Sequence, residues 1–184
     1  MRSAIIRTDR YARGSIVFHW LIAVAILLNL AIGIGHDAMP RGAMPVHKAL
    51  GITVLILSLA RLAWRMTHRP PPLAPDMPMW ERTAAATSHW LLYAFTILVP
   101  LTGWAMVSGG PVRRPLEWFG LFPIPYLPVS KAAAGAAHEG HEILGYALLA
   151  LVVVHTLAAL RHHLILRDST LVRILPILRA PTPR

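Results

Sequence analysis

The sequence predicts an all-α integral membrane protein, an antiparallel four-helix bundle whose helices all span the bilayer. Three observations predict it. Hydrophobic residues make up 55% of the 184-residue chain and only 14% are charged, against about 25% in soluble domains. Four stretches are mostly apolar over the roughly 20 residues that cross a bilayer. Prolines punctuate the connections, and arginines gather at the apolar edges. One such bundle accounts for residues 1–184 as a single domain.

The first helix is expected over about residues 14–35, with His19 and Asn29 as its only strongly polar groups. It lacks a small-residue cleavage site, so it reads as a retained span rather than a removed signal. The second is expected over about 47–64, where Arg61 near the end can snorkel to the headgroups. The third covers about 88–107, with Pro100 and Gly103 inside and a kink expected there. The fourth covers about 141–166 and is closed by Arg161, His162 and His163; the run KAAAGAAHEGH before it is compatible with an earlier start. Residues 36–46 form a short loop, and 66–87 a Pro-rich loop with little regular structure expected. In 108–140, the stretch PLEWFGLFPIPYLP suits the membrane interface, where Trp and Tyr are favoured.

The net charge is +10 and the pI about 11.4. Such a balance can signal nucleic acid. Here the arginines flank apolar segments, so topology explains them, and the expected partner is membrane lipid, not nucleic acid. A cytoplasmic N-terminus puts thirteen Lys and Arg inside and five outside. The positive-inside rule selects this orientation, with both termini cytoplasmic. The absence of cysteine excludes disulfides, iron–sulfur clusters and thiolate zinc sites. It also excludes the C-x-x-C-H haem attachment motif.

Four of the ten histidines fall into two layers by topology alone. His47 and His141 open helices 2 and 4 on the outer side. His19 lies about five residues into helix 1 from the inner side, and His155 lies deep in helix 4 towards that side. His141 and His155 are fourteen residues apart, almost four turns, and so share one helix face about 21 Å apart along the axis. Intramembrane ionisable residues are expensive and read as functional. Two imidazoles per layer, from different helices, are a natural axial pair for a b-type haem. Six-coordinate iron favours electron transfer over oxygen binding. Any one of these histidines alone could be a hydrogen-bonding group. A proton relay would also use buried carboxylates, and Glu142 is the only spanning candidate. The fourteen-residue spacing cannot put two ligands on one zinc ion. His162 and His163 point about 100° apart and do not pair with each other.

The pieces SIVFHW around His19, VHKALG around His47, HEILGY around His141 and VHTLAALRHH around His155, with the tail RDSTLVRILP, give the chain a family likeness. From about residue 11 to 176 it resembles the bacterial cytochrome b561 family, small four-helix di-haem proteins of the inner membrane. The resemblance implies two non-covalent b-type haems. His19 and His155 would hold the cytoplasmic-side haem, and His47 and His141 the outer one, so the expected metal ligands are His19, His47, His141 and His155. His138 shares the motif HEGHE with His141 and is the alternative ligand; the HE-x-x-G-Y spacing and the fourteen-residue gap favour His141.

One branch of that family is a superoxide oxidase, which passes electrons from superoxide to ubiquinone; other relatives carry electrons for partner dehydrogenases. The expected function is therefore di-haem electron transfer between the periplasmic side and the quinone pool. Superoxide oxidation to dioxygen, with ubiquinone as acceptor, is the leading specific chemistry and would make the chain an oxidoreductase. A haem-binding anchor subunit for a partner dehydrogenase and a haem-free binding or proton-transfer protein are the rivals. Arg41, Lys48, Arg113, Arg114 and Lys131 line the outer face with positive charge, which attracts an anion such as superoxide or merely solvates loops. His162, two turns below His155, is the candidate to meet a quinone carbonyl or pass a proton, with Arg161 or His163 as substitutes. Arg13 and Arg61 are candidate haem-propionate partners, because guanidinium pairs carboxylate bidentately. His89 reads as a polar group opening helix 3 near the inner surface, a further candidate to help a haem propionate, and His36 and His68 as loop residues.

Overall fold

The computed structural model describes residues 10–40, 42–68, 70–72, 77–110, 115–175 and 177–178. Four long helices dominate it: α1 (Arg13–Ile34), α2 (Ala43–Thr67), α3 (Met79–Ser108) and α4 (Lys131–Arg161). All four are long and apolar enough to cross a membrane. A two-stranded hairpin, β1 (Glu117–Trp118) and β2 (Phe122–Pro123), lies between α3 and α4, and a short helix, α5 (Thr170–Ile174), follows a wide π-helical turn over His162–Leu166.

Three helices start earlier than the apolar edges suggest. Helix α2 begins at Ala43, four residues before His47, because Pro45 falls in the first turn, where its missing N–H costs nothing. Helix α3 begins at Met79, nine residues before Ser88, with Glu81 in its first turn, where an acidic side chain meets the positive end of the helix dipole. Helix α4 begins at Lys131, ten residues before His141, with the Ser130 hydroxyl accepting the Ala133 N–H at 3.2 Å. Its 31 residues span about 46 Å, well beyond a hydrocarbon core of about 30 Å.

Helix α1 packs on α2, α2 on α3, and α3 on α4. All four helices meet at mid-height around Ile22, Ala25 and Ile26 of α1, Val54 of α2 and Leu148 of α4, with Leu92, Phe95 and Val99 of α3 against them. The opposite face of α1 leaves Val17, Leu21, Val24 and Leu28 exposed. That leaves the helix apolar on both faces, as a span with lipid on one side must be.

The two ends of the bundle differ. At the loop side, Leu116 and Ile124 flank the hairpin and bury against Ile52. The Trp118 indole N–H donates to Thr53 Oγ1 at 3.0 Å, and that of Trp104 to the Pro125 carbonyl at 2.9 Å. The tip of this hairpin, Phe119, Leu121 and Phe122, stays exposed, in keeping with an interfacial segment. At the terminus side, α5 folds back over α1: Trp20 Nε1 donates to the Ile174 carbonyl at 2.9 Å and Val172 is almost fully buried.

Candidate functional site: two histidine clusters at opposite ends of the bundle

At the loop side, His47 of α2 and His141 of α4 face each other with ring centres 6.0 Å apart and planes at 86°. Each ring is fixed from behind. Nδ1 of His47 donates to the Asn29 carbonyl at 3.1 Å, and Nδ1 of His141 to the Val99 carbonyl at 2.9 Å. A carbonyl only accepts, so each neutral ring carries its proton on Nδ1 and leaves Nε2 as a lone pair. Glycine makes the room: a Cβ on Gly33 would stand 2.9 Å from His47 Cε1, and one on Gly103 2.9 Å from His141 Cε1. The rings border a cavity of about 620 Å³ whose walls include Ile26, Val54, Leu148, Gly51 and Gly145, within the roughly 300–1,000 Å³ of ligand and cofactor clefts. Asn29 Oδ1, on the same wall, is buried without a hydrogen-bond partner among the described residues.

At the terminus side, each helix sends one side chain inward. His19 of α1 and His155 of α4 have ring centres 6.4 Å apart, and Arg61 of α2 reaches His19 Nδ1 at 3.4 Å. The Arg61 guanidinium lies 5.3 Å from the Tyr93 ring centre, and Arg65 lies 5.7 Å from it. The fourth member is His89, whose ring packs edge-on against His155 at 5.5 Å. The sequence reading put His89 at the mouth of helix 3. It sits ten residues inside α3, because the helix starts at Met79, and so it joins the cluster as a third imidazole. Its apolar context downstream was visible in the sequence; the polar turns upstream hid its depth.

The other candidates divide. Arg13 opens α1 with an exposed side chain; among the described residues it makes no hydrogen bond or ion pair. His162 Nδ1 pairs with Asp168 Oδ2, and Asp168 Oδ1 accepts the Thr170 N–H at 2.8 Å. Burial raises the Asp168 carboxyl, but hydrogen bonds from Thr170 and His162 outweigh it and hold it below the usual carboxylate range. Arg161 is tied to Glu81 at 3.0 Å, and His163 Nδ1 is buried without a partner among the described residues. His138 contacts Met106 Sδ at 3.3 Å, and it lines the loop-side cavity together with His36. His36 lies in a short 3₁₀ turn rather than an irregular loop, while His68, just beyond α2, stacks on Trp64 at 3.7 Å. Lys48 donates to the Pro115 carbonyl, which ties α2 to the loop. Arg41, Arg113 and Arg114 lie outside the described residues.

Three imidazoles gather at the terminus side and two at the loop side, but among the described residues no three His, Asp or Glu are placed to hold one metal ion. Residues 10–176, nearly the whole bundle, match the family of prokaryotic cytochrome b561. The chain belongs to the prokaryotic cytochrome b561 family. It is thus a membrane electron-transfer protein of the b561 type, and membership implies b-type haem. It is 30% identical to cytochrome b561 homolog 2 of Escherichia coli over 91% of this chain and 92% of that one. It is 29% identical to a cytochrome b562 of Cereibacter sphaeroides, covering 90% of this chain and 94% of the relative. It is 27% identical to a probable superoxide oxidase of Yersinia pestis, covering 91% and 96% respectively. With its four candidate spans, the b561 assignment makes this a bacterial membrane protein.

Proposed function

We propose that the chain holds two non-covalent b-type haems, one between His47 and His141 and one between His19 and His155. It passes electrons between the periplasmic side and the quinone pool, with both termini in the cytoplasm. Bound there, haem supplies one-electron transfer. The observation that carries the reading is the spacing of the ring pairs, 6.0 and 6.4 Å between centres. A metal ion about 2 Å from a nitrogen of each ring needs centres roughly 6 Å apart.

The loop-side residues fit the group well. Two Nδ1–H···O=C bonds leave both Nε2 atoms as ligands, the usual support for a metal-bound imidazole. Two glycines keep Cβ atoms out of the rings' way, and the cavity is large and mostly apolar. At the terminus side, Arg61 is the candidate partner for a haem propionate, since its guanidinium already lies at the edge of the pair. His89 adds a polar edge beside His155. Arg13 is the weaker propionate candidate because its side chain is exposed.

The specific chemistry is oxidation of superoxide with ubiquinone as acceptor, making the chain an oxidoreductase. Two superoxide ions each lose one electron and leave as dioxygen; one quinone takes both electrons and two protons and leaves as quinol. The relative named a probable superoxide oxidase supports this reading. His162 supports a quinone site near the terminus-side pair, since it opens the turn that follows α4, about two helical turns beyond His155. Its ring hydrogen-bonds or protonates a quinone oxygen.

The test is a reduced-minus-oxidised visible spectrum of the detergent-purified protein with haem counted per chain, followed by superoxide-driven ubiquinone reduction. Two low-spin haems and turnover by the isolated chain are expected. One haem per chain overturns one of the two pairs. Two haems with no turnover until a dehydrogenase is supplied would make the chain an anchor subunit instead.

A further inference from the structure

The quinone reading leaves Asp168 unused, yet this carboxylate pairs with the very ring that reading relies on. The α-helical ladder of α4 ends at Arg161, and the wider turn His162–Leu166 follows. Arg167 then takes a left-handed conformation with φ 55°, and the Asp168 N–H returns to the His162 carbonyl at 3.0 Å. The chain thereby brings the Asp168 carboxylate onto His162 Nδ1. Both side chains are mostly buried, 14% and 27% exposed. Arg161, next to His162 in the chain, is itself ion-paired with Glu81.

We propose that Asp168 is a positioning residue for proton exchange at His162: it holds the ring with Nδ1 protonated, so that Nε2 is the nitrogen that exchanges a proton with a quinone oxygen. The inference rests on the quinone reading above. In the imidazolium both nitrogens donate, and Nδ1–H is the one held by the Asp168 carboxylate. When two electrons from two superoxide ions reach the quinone, the Nε2–H bond breaks and an O–H bond forms on one quinone oxygen. The second proton comes from water, as does the proton that recharges His162. After transfer the ring is neutral, Nδ1–H still faces Asp168, and Nε2 is a bare acceptor ready for the next proton.

A bland alternative assigns Asp168 only the task of accepting the Thr170 N–H at the start of α5. The conservative variant Asp168→Asn separates the two. A carboxamide has one acceptor oxygen, and the Thr170 N–H can only donate, so it claims that oxygen. The amide NH₂ then faces His162 Nδ1, which must give up its proton. The neutral ring flips to the Nε2–H tautomer while α5 keeps its cap. The same logic explains why an Asp-to-Asn change behind a catalytic histidine disables serine proteases.

The experiment uses the haem-loaded protein. In dithionite-reduced samples labelled with ¹⁵N-histidine, the His162 signal is identified by its loss in His162→Gln. At a pH where the ring is neutral, wild type shows the Nδ1–H tautomer and Asp168→Asn the Nε2–H tautomer. Superoxide-driven ubiquinone turnover falls about tenfold or more in kcat for Asp168→Asn, with KM, haem content and spectrum little changed. Asp168→Glu recovers part of it, and adding His162→Gln to Asp168→Asn lowers it no further. An unchanged tautomer, turnover within about twofold of wild type, or multiplying losses in the double variant would overturn the proposal. If His162→Gln itself turns over normally, the quinone reading at His162 fails and the inference falls with it. If His162→Gln is impaired and Asp168→Asn is not, only the inference fails.

Discussion

Substituting Gly103 by alanine asks whether the loop-side pair binds haem through a ring held at a fixed place. The new Cβ would lie 2.9 Å from Cε1 and 3.1 Å from Nδ1 of His141. Ordinary contact begins near 3.4 Å, so the ring must recede by about 0.5 Å. Its anchor is the 2.9 Å bond from Nδ1 to the Val99 carbonyl, and a shift of that size carries it past the usual limit of about 3.2 Å. In a haem-free chain the ring can swing away, and alanine regains about 0.5–1 kcal/mol of helix stability, so folding is nearly unaffected. With haem bound, the ring cannot swing without leaving the iron. Losing the hydrogen bond behind a metal-bound imidazole costs about 10–100-fold in affinity. Haem transfer to excess apomyoglobin, followed by the visible spectrum, measures this. Gly103→Ala should lose one of two haems about 10–100-fold more readily than wild type. Gly135→Ala on α4, where a Cβ meets nothing within 4 Å, should behave as wild type. Full retention of both haems in Gly103→Ala would refute the reasoning.

Three further outcomes are expected. His47→Ala or His141→Ala should leave one haem per chain, His19→Ala or His155→Ala should leave the other, and His138→Ala should leave both; haem counting and redox titration distinguish the two populations. Arg61→Leu removes a cation beside His19 and should lower the terminus-side midpoint potential, because that charge favours the reduced iron, while Arg61→Lys should keep most of the potential; an unshifted titration would exclude Arg61 from the site. Asp168 is held below the usual carboxylate range when folded, so its contribution is complete above that range and is lost as pH falls through the lowered value. Hydrogen exchange over 168–175 should therefore show protection that collapses on acidification in wild type and is already weak at neutral pH in Asp168→Ala.

The sequence alone determined the number of candidate spans and the layer of four histidines, His19, His47, His141 and His155. Both follow from one-dimensional quantities. Apolar length counts bilayer crossings, and position along a span fixes depth. That is why His19 with His155, and His47 with His141, were pairs before any coordinates. The helix starts were less legible, because apolarity marks where lipid begins rather than where the backbone stops being helical. Met79–Trp80 and the alanine-rich run after Lys131 are helical and largely outside the apolar windows. That displaced His89 from the mouth of a helix into the cluster beside His155. Only the tertiary structure decided what stands behind each ring. The Asn29 and Val99 carbonyls, the bare Gly33 and Gly103 and the Asp168 carboxylate come from other helices or across a left-handed turn. A hydrogen-bond direction or a missing Cβ matters only once two segments meet, and no periodicity in a single segment encodes it.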